Sequence, residues 1–375
     1  MPLTITAHEI LDDAIRLTWS DGRESLFHHV WLRDNCPDSR HRETWERIDD
    51  VLSFDPETRP TEAALSSNGD ISITWNDGHR SCFARDWLRR HCYSEPARLE
   101  HRPMPTTWAG GPGATPPRLT HDAIMETDAG LLSFLEILRD QGCCVVSGMP
   151  DERKAGEALA QRIAYLRETN FGVDFTVVSK PNPNNNAYTA LELPAHTDLA
   201  NREMPPGVQF LHCLVSDAPG GESILVDGFH AALLLREENP DAFDLLTSTP
   251  FDYRFHDTEW DVRWRAPVIG LDADGALREI RYNNALRAPL NVAPDLVKPT
   301  YQALRAFVAI LRDPSNELHF RLGAGEMLVF HNRRVLHGRA AFDPNGGARE
   351  LHGCYVDIDE MMSRIRVLGG DNLLA

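Results

Sequence analysis

The chain has 375 residues, 42% of them apolar, enough for sizeable cores in one large domain or two ordinary ones. Its 56 acidic against 38 basic residues leave a formal charge of −18, which argues against a broad nucleic-acid surface and favours a cationic small-molecule partner. The opening MPLTITAHEILDD lacks the parts of a secretory signal, no stretch reaches the length of a membrane span, and seven cysteines fit reduced thiols, so the expectation is a cytoplasmic protein without a membrane partner.

In chain order, residues 1–100 read as a small β-rich N-terminal domain. In "AIRLTWSDGRESLF", Ile15, Leu17 and Trp19 alternate before an Asp21-Gly22 turn, which predicts a hairpin. "DISITWNDGHRSCF" repeats the phrase with Ile71, Ile73 and Trp75 before Asp77-Gly78. The phrases "HHVWLRDNC" and "ARDWLRRHC" follow the two hairpins, a weak internal duplication. Residues 101–118 are rich in Pro and Gly and read as a linker, with a domain boundary near residue 115.

Residues 119–375 form the second predicted domain. Apolar spacing predicts helices at 128–140, 154–166, 230–247 and 296–312. "GCCVVSG" at 142–148 reads as a short buried strand. "PGVQFLHCLV" and "GESILVDGF" read as strands framing the Pro219-Gly220-Gly221 turn, and "EMLVFHNRRVLHGRAAF" and "LHGCYVDID" as late strands. The whole is a mixed α+β fold, mainly β, with a sandwich or barrel at its centre.

Three residues point to a metal. His196 and Asp198 form a His-x-Asp unit whose side chains, two apart, share one face of a strand. His337 follows far downstream in "NRRVLHGRAAF". A lone histidine is more often a packing residue than a ligand, but two imidazoles and one carboxylate on one face of iron(II) leave three positions open. Two of these suit a 2-oxo acid and the third dioxygen. Arg349, in the next predicted strand, is the side chain best suited to clamp the far carboxylate of 2-oxoglutarate.

The phrases "VWLRDNC", "NNNAYTALELPAHTD", "PPGVQFLHCL", "GGESILVDGF", "RRVLHGR" and "HGCYVD" span most of the chain. By them the chain resembles the γ-butyrobetaine dioxygenase and 2-trimethylaminoethylphosphonate dioxygenase branch of the iron(II)- and 2-oxoglutarate-dependent oxygenases. The resemblance implies a double-stranded β-helix, or jelly-roll, catalytic core with flanking helices, often in a homodimer. It implies His196, Asp198 and His337 as iron ligands, Arg349 as the 2-oxoglutarate anchor, and Ser223 as a hydroxyl near that cosubstrate. It maps an aromatic cage for a trimethylammonium group onto Phe175, Tyr188 and Tyr355, with Phe171 nearby and Asp174 and Asn185 close to it. The bland alternative for Phe171 and Phe175 is ordinary core.

The anionic end of the substrate decides between two products. A phosphonate wants more donors than a carboxylate, and Asn201, Arg202, Asn284 and Arg287 are the candidates. Asn201 with Arg287 favours hydroxylation of 2-(trimethylamino)ethylphosphonate, with γ-butyrobetaine hydroxylation to L-carnitine as the alternative. Either would consume O2 and release succinate and CO2. The family's N-terminal zinc site maps onto Cys36, Asp38, His41 and His79, with Asp and His where two further cysteines are usual. A non-catalytic metabolite- or partner-binding protein, and an oxygenase for another substrate such as a sulfonate, are the remaining readings.

Overall fold

The computed structural model describes residues 3–100, 105–178 and 189–370. Contacts divide the chain into a smaller unit before residue 105 and a larger one over 105–370.

The smaller unit is built twice from one pattern. Strands β1 (Ile5–Ile10), β2 (Ala14–Trp19) and β3 (Glu24–His28) form one antiparallel sheet, followed by helix α1 (His29–Asp34). Strands β4 (Pro60–Leu65), β5 (Ile71–Trp75) and β6 (Arg80–Phe83) form the second, followed by α2 (Arg85–Arg90) and α3 (Glu95–Glu100). Each predicted hairpin is present and gains a third strand. Gly22 and Gly78 take φ of 80° and 84° at equivalent turns, a conformation glycine adopts without strain. The repetition reaches the polar core. Trp19 Nε1 donates to Ser25 Oγ at 2.9 Å, and Trp75 Nε1 donates to Ser81 Oγ at 2.9 Å. A buried indole needs such a partner for its N–H, and the same solution recurs six residues on in both halves.

The larger unit begins earlier than the composition suggests. From residue 105 the expected linker belongs to this unit: Trp108 Nε1 donates to Gln141 O at 2.7 Å, and its backbone N–H donates to Asp227 Oδ2 at 3.1 Å. Strand β7 (Arg118–Thr120), helices α4 (His121–Glu126) and α5 (Asp128–Gln141), strand β8 (Cys143–Ser147), helix α6 (Arg153–Ile163) and strand β9 (Asp174–Val177) follow. Then come β10 (Leu193–His196), β11 (Val208–Ser216) and β12 (Ser223–Asp227). The helix expected over 230–247 is two, α7 (Gly228–Glu238) and α8 (Pro240–Ser248), because Asn239 caps α8 and Pro240 cannot continue α7. Two hairpins, β13 (Phe251–His256) with β14 (Asp261–Ala266) and β15 (Ile269–Leu271) with β16 (Leu277–Ile280), precede α9 (Pro294–Leu311). The chain closes with β17 (Leu318–Phe320), β18 (Glu326–His331), β19 (Val335–Arg339), β20 (Arg349–Val356) and α10 (Ile358–Leu368).

Two sheets make the jelly roll. One has the order β7-β8-β18-β11-β20-β9, the other β10-β19-β12-β17. Strands of the first are apolar on both faces because both are covered. In β8, Cys144 and Val146 pack with the helices while Cys143 and Val145 pack between the sheets. In β18, Met327 and Val329 take the helix side, and Leu328 and Phe330 the sheet side. Helices α7, α8 and α9 form a separate core with β13 and β15. No helix among the described residues is long and apolar enough to cross a membrane.

Candidate active site

Strands β10 and β19 pair antiparallel with His196 directly opposite His337, their rings 4.3 Å apart. The strands can lie this close because Gly338 has no side chain: a Cβ there would stand 2.6 Å from Leu193 O. The glycine of the His-Gly-Arg phrase thus makes room for the strand that carries the other histidine. Asp198 follows β10 and brings Oδ1 to 3.2 Å from His196 Nε2 and 3.8 Å from His337 Nε2. His196 Nδ1 donates to Pro194 O at 2.9 Å, which turns Nε2 toward Asp198 and His337.

The Asp198 turn is fixed from several directions. Asn332, fully buried between β18 and β19, accepts from Asp198 N at 2.7 Å and donates to Asp198 O at 3.1 Å and Pro206 O at 3.0 Å. Each such bond contributes about 1 kcal/mol, but leaving a buried partner unsatisfied costs about 1–3 kcal/mol. Leu199 adopts φ 54°, a strained conformation for a bulky residue, and its neighbours hold it there. Buried Arg281 donates to the carbonyls of Ala200 and Glu203 at 3.0 and 3.1 Å, and Glu279 bridges Arg281 and Arg333.

The protonation states suit metal binding. Burial and the neighbouring His196 push the His337 pKa down to about 3, so its imidazole is neutral. Burial would raise the Asp198 carboxyl, but the two imidazoles and a hydrogen bond from Tyr355 outweigh it and hold the group well below its usual range. Two imidazoles and a carboxylate with ligand atoms within 4.8 Å of one another form a donor set of the kind iron(II) takes. Among the described residues the buried Nδ1 of His337 has no hydrogen-bond partner. These residues fit the metal the sequence implied.

The trio lies in a cavity of about 480 Å³. Arg349, Arg339 and Ser223 line it, and burial pulls the Arg349 guanidinium below its ordinary pKa. Among the described residues no carboxylate pairs with Arg349; its guanidinium lies 5.7 Å from the Phe342 ring. Arg339, lowered to about 10 by burial and by Arg349, donates to Thr189 O and Leu191 O at 2.7 Å. A buried cation facing a cavity could hold an anionic ligand there.

Aromatic rings form another part of the wall. Phe175 and Tyr355 lie 5.1 Å apart, and Phe171 meets Phe255 edge-on at 5.6 Å. The ring of Phe175 crosses β20 at Gly353, where a Cβ would come within 2.6 Å of it. Asn284 lines the cavity too, its Oδ1 held by Arg287 Nη2 at 3.2 Å.

Several predicted residues lie elsewhere. Asp174 points away from the cavity, because it alternates with Phe175 on β9, and meets His352 Nε2 at 3.2 Å beside Glu157. Asn201 is buried with its amide donating to Val262 O at 3.3 Å, and Arg202 binds Asn170 Oδ1 at 2.8 Å. Neither lines the cavity, and nor does Arg287, which stacks 5.7 Å over Tyr301. Asn185 and Tyr188 lie outside the described residues. Sequence reasoning missed Phe255 and Gln209 on the cavity wall and Asn332 behind it. Asn332, inside "FHNRRVLHGR", was within reach as a polar residue at a strand turn.

In the smaller unit the expected zinc set does not assemble. Cys36 Sγ and His79 Nε2 approach to 3.2 Å. Asp38 and His41 do not join them: among the described residues no group of three ligands forms there, and His41 Nδ1 instead accepts from the N–H groups of Glu43 and Thr44.

Comparison with known proteins agrees with the geometry. Residues 110–355 match the family described as taurine catabolism dioxygenase TauD, TfdA family, and residues 8–89 match gamma-butyrobetaine hydroxylase-like, N-terminal. The chain is 45% identical over 359 residues to gamma-butyrobetaine dioxygenase of Pseudomonas sp. (strain AK-1), covering 94% of this chain and 93% of that one. It is 33% identical to gamma-butyrobetaine dioxygenase of Homo sapiens, covering 98% of each chain. It is 32% identical to mitochondrial trimethyllysine dioxygenase of Bos taurus, covering 98% of this chain and 91% of that one. Among solved structures, an asparagine oxygenase with Fe(II), hydroxyasparagine and succinate aligns with TM-score 0.50 at 20% identity, over 61% of this chain and 79% of that one. A putative alpha-ketoglutarate-dependent taurine dioxygenase from Burkholderia xenovorans aligns with TM-score 0.50 at 15% identity, over 66% and 92%. These two share the fold.

Proposed function

We propose, for a chain that belongs to the TauD, TfdA dioxygenase family and to its γ-butyrobetaine hydroxylase-like branch, that it hydroxylates γ-butyrobetaine to L-carnitine. It is an iron(II)- and 2-oxoglutarate-dependent dioxygenase. One atom of O2 enters a substrate C–H bond as hydroxyl, the other enters succinate, and CO2 leaves.

Iron(II), when bound, supplies the dioxygen activation that no side chain can provide. His196, Asp198 and His337 hold it. Arg349, with Ser223, takes the far carboxylate of 2-oxoglutarate in a two-point contact. The faces of Phe175 and Tyr355 receive the trimethylammonium group, which has no N–H to donate and is held by ring quadrupoles. Asn284 donates to the substrate carboxylate. Arg287 acts through it, since a guanidinium on Asn284 Oδ1 turns the amide N–H₂ outward.

The observation that carries the reading is one cavity lined by the metal trio, the buried Arg349 and the Phe175–Tyr355 pair. The phosphonate preference is withdrawn. It rested on Asn201 and Arg287 as extra donors, and neither lines the cavity. The 45% identical relative is a γ-butyrobetaine dioxygenase, which favours the carboxylate substrate. The test is mass spectrometry on iron-loaded protein offered γ-butyrobetaine, the phosphonate analogue, trimethyllysine and 4-aminobutyrate. The expected result is hydroxylation of γ-butyrobetaine with one succinate per product and little reaction of the primary amine. Preferred turnover of any other compound overturns the assignment.

A further inference from the structure

Tyr355 touches two parts of the site at once. Its ring is tilted against Phe175 at 5.1 Å, and its hydroxyl donates to Asp198 Oδ2 at 2.7 Å. The other carboxylate oxygen, Oδ1, faces both imidazoles. Among the described residues, Tyr355 is the one side chain besides the two histidines that binds this carboxylate. The ring is only 4% exposed, and its backbone is paired with Gln209 of β11, so the hydroxyl is held in place.

We propose that Tyr355 is a positioning residue that makes Asp198 a one-oxygen metal ligand. With Oδ2 occupied by the phenol, Oδ1 alone is presented to the metal. The arithmetic of coordination makes this matter. Two imidazoles and one carboxylate oxygen leave three of six positions, as many as a chelating 2-oxo acid and dioxygen require. A carboxylate binding through both oxygens would remove one of the three. The same hydrogen bond polarises the phenol toward its ring and strengthens the face offered to a cation. The inference rests on the proposed function for the location of metal and cation, while its first test needs no substrate.

The experiment compares the parent protein with Tyr355→Phe, which keeps the ring and removes the hydroxyl. Metal-free protein is titrated with Co(II) as a visible probe, and apo melting temperatures confirm that both proteins are folded. The expected result is roughly 10- to 100-fold weaker Co(II) binding in the variant, with altered d–d bands from a changed coordination number. Binding of γ-butyrobetaine to both metal-free proteins is measured alongside, as the separate check on the substrate assignment. Co(II) affinity within twofold of the parent and unchanged bands, in a folded variant, overturn the proposal. If no quaternary amine binds either protein but the Co(II) difference persists, the substrate assignment fails and the positioning role stands.

Discussion

Two sets of candidate metal ligands, one in each unit, met opposite fates. His196, Asp198 and His337 sit on paired strands or directly beside them, and register alone brings the histidines face to face. Cys36, Asp38, His41 and His79 sit in turns and loops, and only the thiol and one imidazole meet. The contrast is between ligands delivered by a ladder and ligands that depend on loop geometry. A substituted residue in the first kind of site leaves the others in place; in the second, losing two thiolates removes the reason for the loop to gather.

The largest test breaks the ladder site. His337→Ala should reduce succinate release at least about 10³-fold, about 4 kcal/mol of barrier, with little change in apo melting temperature; ordinary turnover would remove His337 from the ligand set. Arg349→Ala should raise the 2-oxoglutarate KM roughly a hundredfold, within the about 2–5 kcal/mol seen when one partner of a buried charge pair is cut away; an unchanged KM would place the cosubstrate elsewhere.

A stability measurement probes the supports. Glu279, between Arg281 and Arg333, is held below its normal pKa: burial raises it, and the two guanidiniums overcome that. Its folded pKa is depressed, so its contribution is full above the unfolded value near 4.3 and fades as pH falls through the folded value. Glu279→Gln should cost about 1–3 kcal/mol at pH 7 and flatten the acid limb of the melting profile. Parallel profiles for both proteins would show that the ion triad is not a stake for residues 200–203.

Smaller effects sharpen the comparison. Gly353→Ala should displace the Phe175 ring and raise the KM for the amine roughly tenfold, from about 1–3 kcal/mol of overpacking, with the 2-oxoglutarate KM unmoved. Cys36→Ala should change stability by less than about 1 kcal/mol and turnover by less than twofold. A large loss of stability reversed by added zinc would restore the loop site.

What could be read from the sequence follows the same division. The hairpins with their Trp and Asp-Gly phrases, the strand pattern of the jelly roll and the His-x-Asp and His-Gly-Arg phrases that the fold brings together were legible because each is a local phrase or a periodicity. Facing direction was not. Asp174 and Phe175 are neighbours in sequence, and one parity step decides which of them meets the cavity. Asn201 and Arg287 looked like anion donors by proximity to motifs, but the first is spent on a carbonyl of β14 and the second on Asn284. Phe255 entered the wall from a hairpin some sixty residues beyond the His-x-Asp phrase, a pairing that no local pattern encodes.

Asn332 has a consequence for time rather than affinity. Its three bonds join the segment that carries Asp198 to the turn before the strand that carries His337. Loosening of one loop alone does not part Asp198 from His337 while these bonds hold. Exchange of the proposed metal should therefore keep the clock of a cooperative opening rather than that of a single loop.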